Sequence, residues 1–235
     1  MILHRLLWRF ARHRDDPVFY AMQATDAIRW LREQGVAMGP GTRALDLGCG
    51  HGVFGGELAR LGCQVTFADE QNHLLPEHRT RPFLPVNLDR DDPSILGTHD
   101  LVVCSNVLEH LSRPRPFLRQ AASLLAPGGR LYLSWTNWLS PWGGHEFSPF
   151  HYLGPSLGTR LHDRLGRGRF HQPGKNLFVT HVGEVLGWIK ADGQLVARAM
   201  APRYYTEMTW IMRCPGLREV AAWNAALLLA RAGDS

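Results

Sequence analysis

The run Ala44-Leu45-Asp46-Leu47-Gly48-Cys49-Gly50-His51-Gly52-Val53-Phe54-Gly55-Gly56-Glu57-Leu58-Ala59 constrains this chain more than any other stretch, because it reads as a strand, a glycine turn and a helix in succession. The apolar residues Ala44 to Leu47 suit a buried parallel strand, and Glu57-Leu58-Ala59-Arg60-Leu61 continues at helical spacing. The glycines therefore sit at the strand's carboxyl end. Glycine tolerates positive φ and has no Cβ to obstruct a ligand, and the helix that follows starts with unpaired N–H groups. The spacing discriminates between ligands. Gly48, Gly50 and Gly52 alternate as G-x-G-x-G with Asp46 two residues ahead, whereas the dinucleotide fingerprint is G-x-G-x-x-G, and Val53 stands at its sixth place. An acid at this turn repels a pyrophosphate but suits an ammonium group, held directly or through water. The competing reading is a purely structural glycine-rich turn.

On these residues the stretch resembles motif I of the class I S-adenosylmethionine-dependent methyltransferases. The resemblance implies an α/β fold: a Rossmann-like, seven-stranded, mainly parallel sheet with helices on both faces and a substrate cap inserted after the fifth strand. It divides the chain into an N-terminal helical segment (1–40), a cofactor-binding core (41–136), the inserted cap (137–179) and the C-terminal part of the core (180–235). Gln64 to Glu70 reads as a second strand ending in acid. A carboxylate there, Asp69 in preference to Glu70, accepts from both ribose hydroxyls in nucleoside-binding folds, although Asp69 also suits a helix N-cap. Arg81 to Leu88 is a third strand confined to an edge by Pro82 and Pro85. Its continuation Asn87-Leu88-Asp89 resembles the family's adenine contact, with Leu88 on the ring and Asp89 accepting from the exocyclic amine. Asp89 is equally a member of a solvated turn.

The fourth strand, His99 to Cys104, leads into Ser105-Asn106-Val107-Leu108-Glu109-His110-Leu111. By resemblance Asn106 and Val107 line the methionine side of the donor and His110 approaches the acceptor. Phe117 to Leu125 is an amphipathic helix, and Ala126-Pro127-Gly128-Gly129-Arg130 is a turn into the fifth strand, Leu131 to Trp135. Further on come a helix near Val182 to Ile189, a sixth strand over Gln194 to Met200, and a seventh over Trp223 to Leu229 that in the family runs antiparallel. Tyr204 to Leu217 between them reads as a second insertion with aromatic and apolar exposure.

The segment from Asn137 to Val179 is where the chain becomes individual. Trp138, Trp142, Glu146, His151 and Tyr152 are the expected substrate contacts, since flat rings stack on sugars and aromatics and carboxylates accept hydrogen bonds. Packing of a loop-rich subdomain is the other reading of these aromatics. His145, after Gly143-Gly144, is the expected general base, with His110 second. His145, Glu146 and His151 do not have the helical H-E-x-x-H spacing and Pro149 interrupts a helix, so no metal is expected. Arg160, Arg164, Arg167 and Arg169 form a basic segment that suits an anionic acceptor or a solvated surface.

At 235 residues and 45% hydrophobic composition the chain can bury a full core. No apolar run is long enough to span a bilayer, no secretory signal stands at the N-terminus, and Cys49, Cys63, Cys104 and Cys214 lack disulfide or metal spacing. Reduced thiols in a cytoplasmic protein follow. Residues 1–14 read as a basic amphipathic helix, either docked on the core or in peripheral contact with a membrane. A net charge of +5 admits nucleic acid as partner, but the D/N-P-P-Y/F signature of amino-methylating enzymes is absent where Ser105-Asn106-Val107-Leu108 stands.

The expected cofactor is S-adenosyl-L-methionine, leaving as S-adenosyl-L-homocysteine. Its methyl is already electrophilic, so the protein aligns a nucleophile and removes a proton where needed. The cap histidines favour O-methylation of a small molecule, sugar or glycolipid. N- or C-methylation of a small metabolite and a non-catalytic donor-binding regulatory module are the alternatives.

Overall fold

The computed structural model describes residues 2–13, 16–166, 168 and 170–234; Arg14 of the N-terminal helix and Arg167 and Arg169 of the basic segment lie outside them. Seven strands form one sheet, β1 (Arg43–Leu47), β2 (Gln64–Asp69), β3 (Phe83–Pro85), β4 (His99–Ser105), β5 (Leu125–Thr136), β6 (Leu195–Pro202) and β7 (Asn224–Arg231), in the order β3-β2-β1-β4-β5-β7-β6. β1 pairs in parallel with both β2 and β4, and β7 is antiparallel to β5 and to β6.

Alternation along the strands builds a core on each face. Leu45 and Leu47 point to one side with Val102, Cys104, Leu131 and Leu133. Ala44 points to the other with Val65, Phe67, Leu101 and Val103. The helices α2 (Pro17–Glu33) and α3 (Val53–Arg60) cover the second face through Ile28, Leu31, Phe54 and Leu58. The first face takes α1 (Leu3–His13), α4 (Pro114–Ala121) and α6 (Val182–Asp192) through Leu6, Phe117, Val185 and Ile189. Asp16 caps α2, its Oδ1 accepting from Phe19 N at 2.9 Å, and Pro17 opens the helix. Since β2 and β3 lie on one side of β1 and β4 and β5 on the other, the chain reverses direction across the sheet between β1 and β4. Open α/β sheets bind ligands at the strand ends of that reversal.

Several elements differ from their sequence expectation. β3 shrinks to three residues at the sheet edge, because Pro82 and Pro85 withhold ladder donors. α4 starts at Pro114 and ends at Ala121, followed by a 3-10 turn over Ala122–Leu124. Leu125 pairs with His99 ahead of the expected turn and Arg130 with Leu101 after it, so Ala126 to Gly129 bulge out of β5. At Gly129 a Cβ would lie 2.8 Å from the His99 carbonyl, which only glycine avoids.

The cap carries α5 (Gly154–Arg164), which periodicity did not reveal. Gly158 lets it sit on Phe150 and Phe147, where a Cβ would come within 2.1 Å of the Phe150 carbonyl oxygen. Trp138, Phe147 and Leu177 form a small core of their own in the cap. Arg160 and Arg164 are exposed on α5. The second insertion holds α7 (Trp210–Arg213) and α8 (Leu217–Ala221); Tyr204 and Tyr205, expected on the surface, are buried beside α1, while Met208, Trp210 and Leu217 are exposed. All four cysteines are free thiols. Among the described residues no helix is long and apolar enough to cross a membrane.

Candidate active site

The turn after β1 is built from three left-handed glycines, Gly48 (φ 69°), Gly50 (φ 51°) and Gly52 (φ 76°). Gly48 and Cys49 donate to the Ala68 carbonyl at the end of β2, at 2.8 and 3.2 Å. Gly50 N donates to Asp69 Oδ2 at 2.8 Å, which ties the turn to the acid closing β2. A Cβ on Gly50 would meet nothing within 4 Å, so the backbone lies bare there; on Gly48 it would strike Val107 Cγ2 at 2.4 Å. Gly52 serves packing instead, against Leu74, Phe67 and His78.

Asp46 is buried beneath this turn and its Oδ2 accepts from Gly55 N, in the first turn of α3, at 2.7 Å. Burial pushes its carboxyl up to about 7; the Gly55 hydrogen bond opposes that shift and the Asp69 charge adds to it.

Asp46, Gly48 and Gly50 line a cavity of about 300 Å³ at the β1–β4 reversal, together with Ser105, Asn106 and Arg203. Asn106 holds the left-handed conformation (φ 56°), and its Oδ1 accepts from Arg203 Nη1 at 2.8 Å and from Asn224 Nδ2 at 3.3 Å. Arg203 is itself buried, so the cavity contains a carboxylate and a guanidinium. A second, apolar cavity of about 150 Å³ lies under α1, lined by Leu3, Leu6, Leu7, Phe10, Trp142 and Trp223. The two share Tyr20, Gln23, Asn106, Thr136 and His145.

Where His145 joins the two cavities it meets His110 and His171, which line the polar cavity only. His110 and His145 ring centroids are 5.3 Å apart, His110 and His171 5.2 Å, and His145 and His171 4.2 Å. His110 Nδ1 meets the Asn176 carbonyl at 2.7 Å, and His171 Nδ1 meets Glu146 Oε2 at 2.8 Å. Burial, with the neighbouring His171 and His110, lowers His145 to about 3, so it is uncharged at neutral pH. Its backbone is left-handed (φ 51°). Gly143 and Gly144 make that loop possible by close packing, since Cβ atoms there would collide with the Trp138 carbonyl and the His151 side chain.

Other expected residues stand elsewhere. Glu70 accepts from Asn87 Nδ2 at 3.0 Å. The Asp89 carboxylate accepts from Ser112 N and Arg113 N at 3.1 and 3.0 Å, holding the loop before α4, and Leu88 packs on the core. Trp138 and His151 are corrected from substrate contacts to the cap's interior: both are buried, their rings stand edge to face, and His151 Nε2 bonds the Ser140 carbonyl at 3.0 Å. Tyr152 is exposed with its hydroxyl on the Leu139 carbonyl, and Glu146 faces His171. His171, Arg203, Gln23 and Trp223 escaped the sequence reading; His171 was visible only as part of a basic, glycine-rich segment.

Residues 45–131 match the model of a methyltransferase domain family. An uncharacterized methyltransferase of Mycobacterium sp. (strain JLS) is 33% identical over 238 residues, covering 96% of this chain and 92% of its own length. The chain belongs to the class I S-adenosylmethionine-dependent methyltransferases. This methyltransferase is 34% identical to another uncharacterized methyltransferase, from Mycobacterium ulcerans (strain Agy99), again over 96% of its length and 92% of the relative's. In fold it is similar to an S-adenosylmethionine-dependent methyltransferase from Mesorhizobium loti (TM-score 0.58, 20% identity, 88% of this chain and 97% of that one). The magnesium protoporphyrin IX methyltransferase of Synechocystis PCC 6803, solved with S-adenosylhomocysteine, shares the fold as well (TM-score 0.54, 18% identity, 97% and 94% covered). S-adenosylmethionine is therefore the methyl donor of this methyltransferase, and its glycine turn, bare at Gly50 above a cavity holding both signs of charge, fits an amino-acid-bearing nucleoside.

Proposed function

We propose that the methyltransferase O-methylates a small molecule, sugar or glycolipid whose hydroxyl is joined to an apolar part. The observation that carries this reading is His145 on the wall shared by the polar and the apolar cavity, with His171 and His110 against it. When bound, S-adenosylmethionine supplies a methyl group on a sulfonium sulfur, already electrophilic. The chain's own residues bind and orient. Asp46 and Arg203 offer opposite charges to the ammonium and carboxylate of its methionine part, with Asn106 and Val107 beside them. The Asp69 carboxylate, helped by Glu70, is the acceptor for ribose hydroxyls, and Leu88 and Asp89 remain the candidates for adenine.

On the acceptor side, Leu6, Leu7, Phe10, Trp142 and Trp223 hold the apolar part and exclude water. In this reading His171, rather than the expected His145 or His110, takes the hydroxyl proton: burial holds His145 down to about 3, whereas Glu146 behind the His171 Nδ1 steadies that ring as the proton arrives at Nε2. His145 and His110 aim the hydroxyl. Peripheral membrane contact through residues 1–14 is not needed for this reading, in which Leu6 of α1 packs on the core and Leu3, Leu7 and Phe10 line the apolar cavity.

The test is S-adenosylhomocysteine release with glucose, an alkyl glucoside, a long-chain alcohol and the matching amine as acceptors. Turnover of the alkyl glucoside or alcohol, with glucose and the amine inert, is the expected pattern. Turnover of the amine alone would replace O- by N-methylation. His171→Ala is expected to lower kcat by about 10²–10⁴ with donor affinity retained.

A further inference from the structure

The three clustered histidines do more than a base requires. His110 follows β4, while His145 and His171 come from opposite ends of the cap, yet one ring nitrogen of each lies within 4.8 Å of one on each of the others. We propose that His110, His145 and His171 bind a divalent transition-metal ion of the zinc class, with its remaining coordination position open to the acceptor.

The hydrogen bonds around the rings carry the argument. A carbonyl and a carboxylate only accept, so the Asn176 carbonyl and Glu146 Oε2 assign the proton of His110 and of His171 to Nδ1. Each then presents the bare lone pair of Nε2. That is the arrangement of metal-ligating histidines, whose second nitrogen donates to a carboxylate or a backbone carbonyl that fixes the ring. The Nδ1 of His145 is buried and makes no hydrogen bond of good geometry. The His110 and His171 lone pairs face one small cluster, and a cation held between the rings satisfies both at once.

Ligand nitrogens at about 2.0–2.1 Å from zinc stand about 3.3 Å apart in a tetrahedron, so the cluster closes by about 1.5 Å, within the reach of side-chain rotation. Three neutral histidines with one open position describe a catalytic rather than a structural site. Imidazole suits zinc, copper, iron and nickel. The sequence showed none of this, because the ligands share no local motif.

The ion's use rests on the hydroxyl-acceptor reading. A hydroxyl entering the open position is acidified as metal-bound water is: its O–H bond breaks and the proton passes to water on the polar side, then the oxygen forms its bond to the donor methyl as the methyl–sulfur bond breaks and S-adenosylhomocysteine leaves. In the metal-loaded enzyme this replaces proton uptake by His171.

Chelator-stripped full-length protein titrated with Co²⁺ tests the site through its visible d–d absorption, with donor affinity measured calorimetrically on the same samples. A saturable one-to-one band is expected. His171→Ala and His110→Ala should each weaken it at least about 100-fold, Glu146→Gln by about 10–100-fold because the carboxylate that orients the His171 ring is lost, and His13→Gln, an exposed histidine, not at all. A far-ultraviolet circular dichroism spectrum and urea midpoint like those of the wild type show that the ligand variants fold. No saturable band, or an identical band in His171→Ala, overturns the metal site. Full-rate hydroxyl methylation by the stripped enzyme overturns the ion's role in turnover. A band without any hydroxyl product leaves the site standing and removes the acceptor reading instead.

Discussion

Asp46 concentrates the electrostatics of the donor site in a single carboxylate. Its folded value of about 7 stands above its ordinary 3.8, so between those pH values the folded chain keeps a proton that the unfolded chain has lost. The stabilisation from this group is full below about 4 and is lost as pH rises through 7. Asp46→Asn lacks the group, so in donor-free protein the stability of the variant relative to wild type should grow from pH 4 to 7. The growth should reach about 4 kcal/mol, measured by urea unfolding at several pH values. A difference independent of pH would mean that Asp46 is ionised throughout. Donor binding has the opposite slope: an ammonium partner needs the carboxylate, so wild-type affinity should weaken toward tenfold per unit below about pH 7. Asp46→Ala should abolish donor binding in calorimetry, and unchanged affinity would move the amino group elsewhere.

Among the elements, the turn between β1 and α3 is the one whose shape is dictated twice, by backbone and by packing. Gly48 is left-handed and also in contact with Val107, on the segment leaving β4, so the turn locks two strands' carboxyl ends together. Gly48→Ala should cost about 2–3 kcal/mol, part from φ strain and part from the collision. Val107→Ala in the same chain should return the steric part and leave the rest, read as a partial rescue of the urea midpoint. Full rescue would show the φ cost to be negligible, and none would show that Val107 yields freely.

For the whole molecule, the decisive arrangement is α1 lying across the apolar cavity, its Leu6 in the main core and Ile2 N bonded to the Tyr204 carbonyl at 3.1 Å. The helix closes the acceptor side while the glycine turn lies apart from it. Leu6→Ala should cost about 2–4 kcal/mol and speed amide exchange across residues 3–13. Acceptor KM should rise in the same variant while donor affinity stays. A parallel loss of donor binding would show that α1 supports both cavities.

What could be read from sequence is whatever is local. The β1–glycine–α3 succession, Asp46 and Asp69 follow from strand patterning and from the φ freedom of glycine within one short stretch, whereas the arrangement of the seven strands was what the family resemblance implied. The family's acids stay near their glycines. Burial and convergence are different in kind: Trp138 and His151 looked like ligand contacts because an aromatic cap and an aromatic core have one composition, and only packing distinguishes them. In the same way His110 and His171 are separated by the whole fifth strand and most of the cap, so their meeting with His145 has no sequence period. Local chemistry was written in the sequence, whereas the pairing of cavities, the inward turn of α1 and the histidine cluster were decided by tertiary folding, because contacts between distant segments depend on the packed path of the chain.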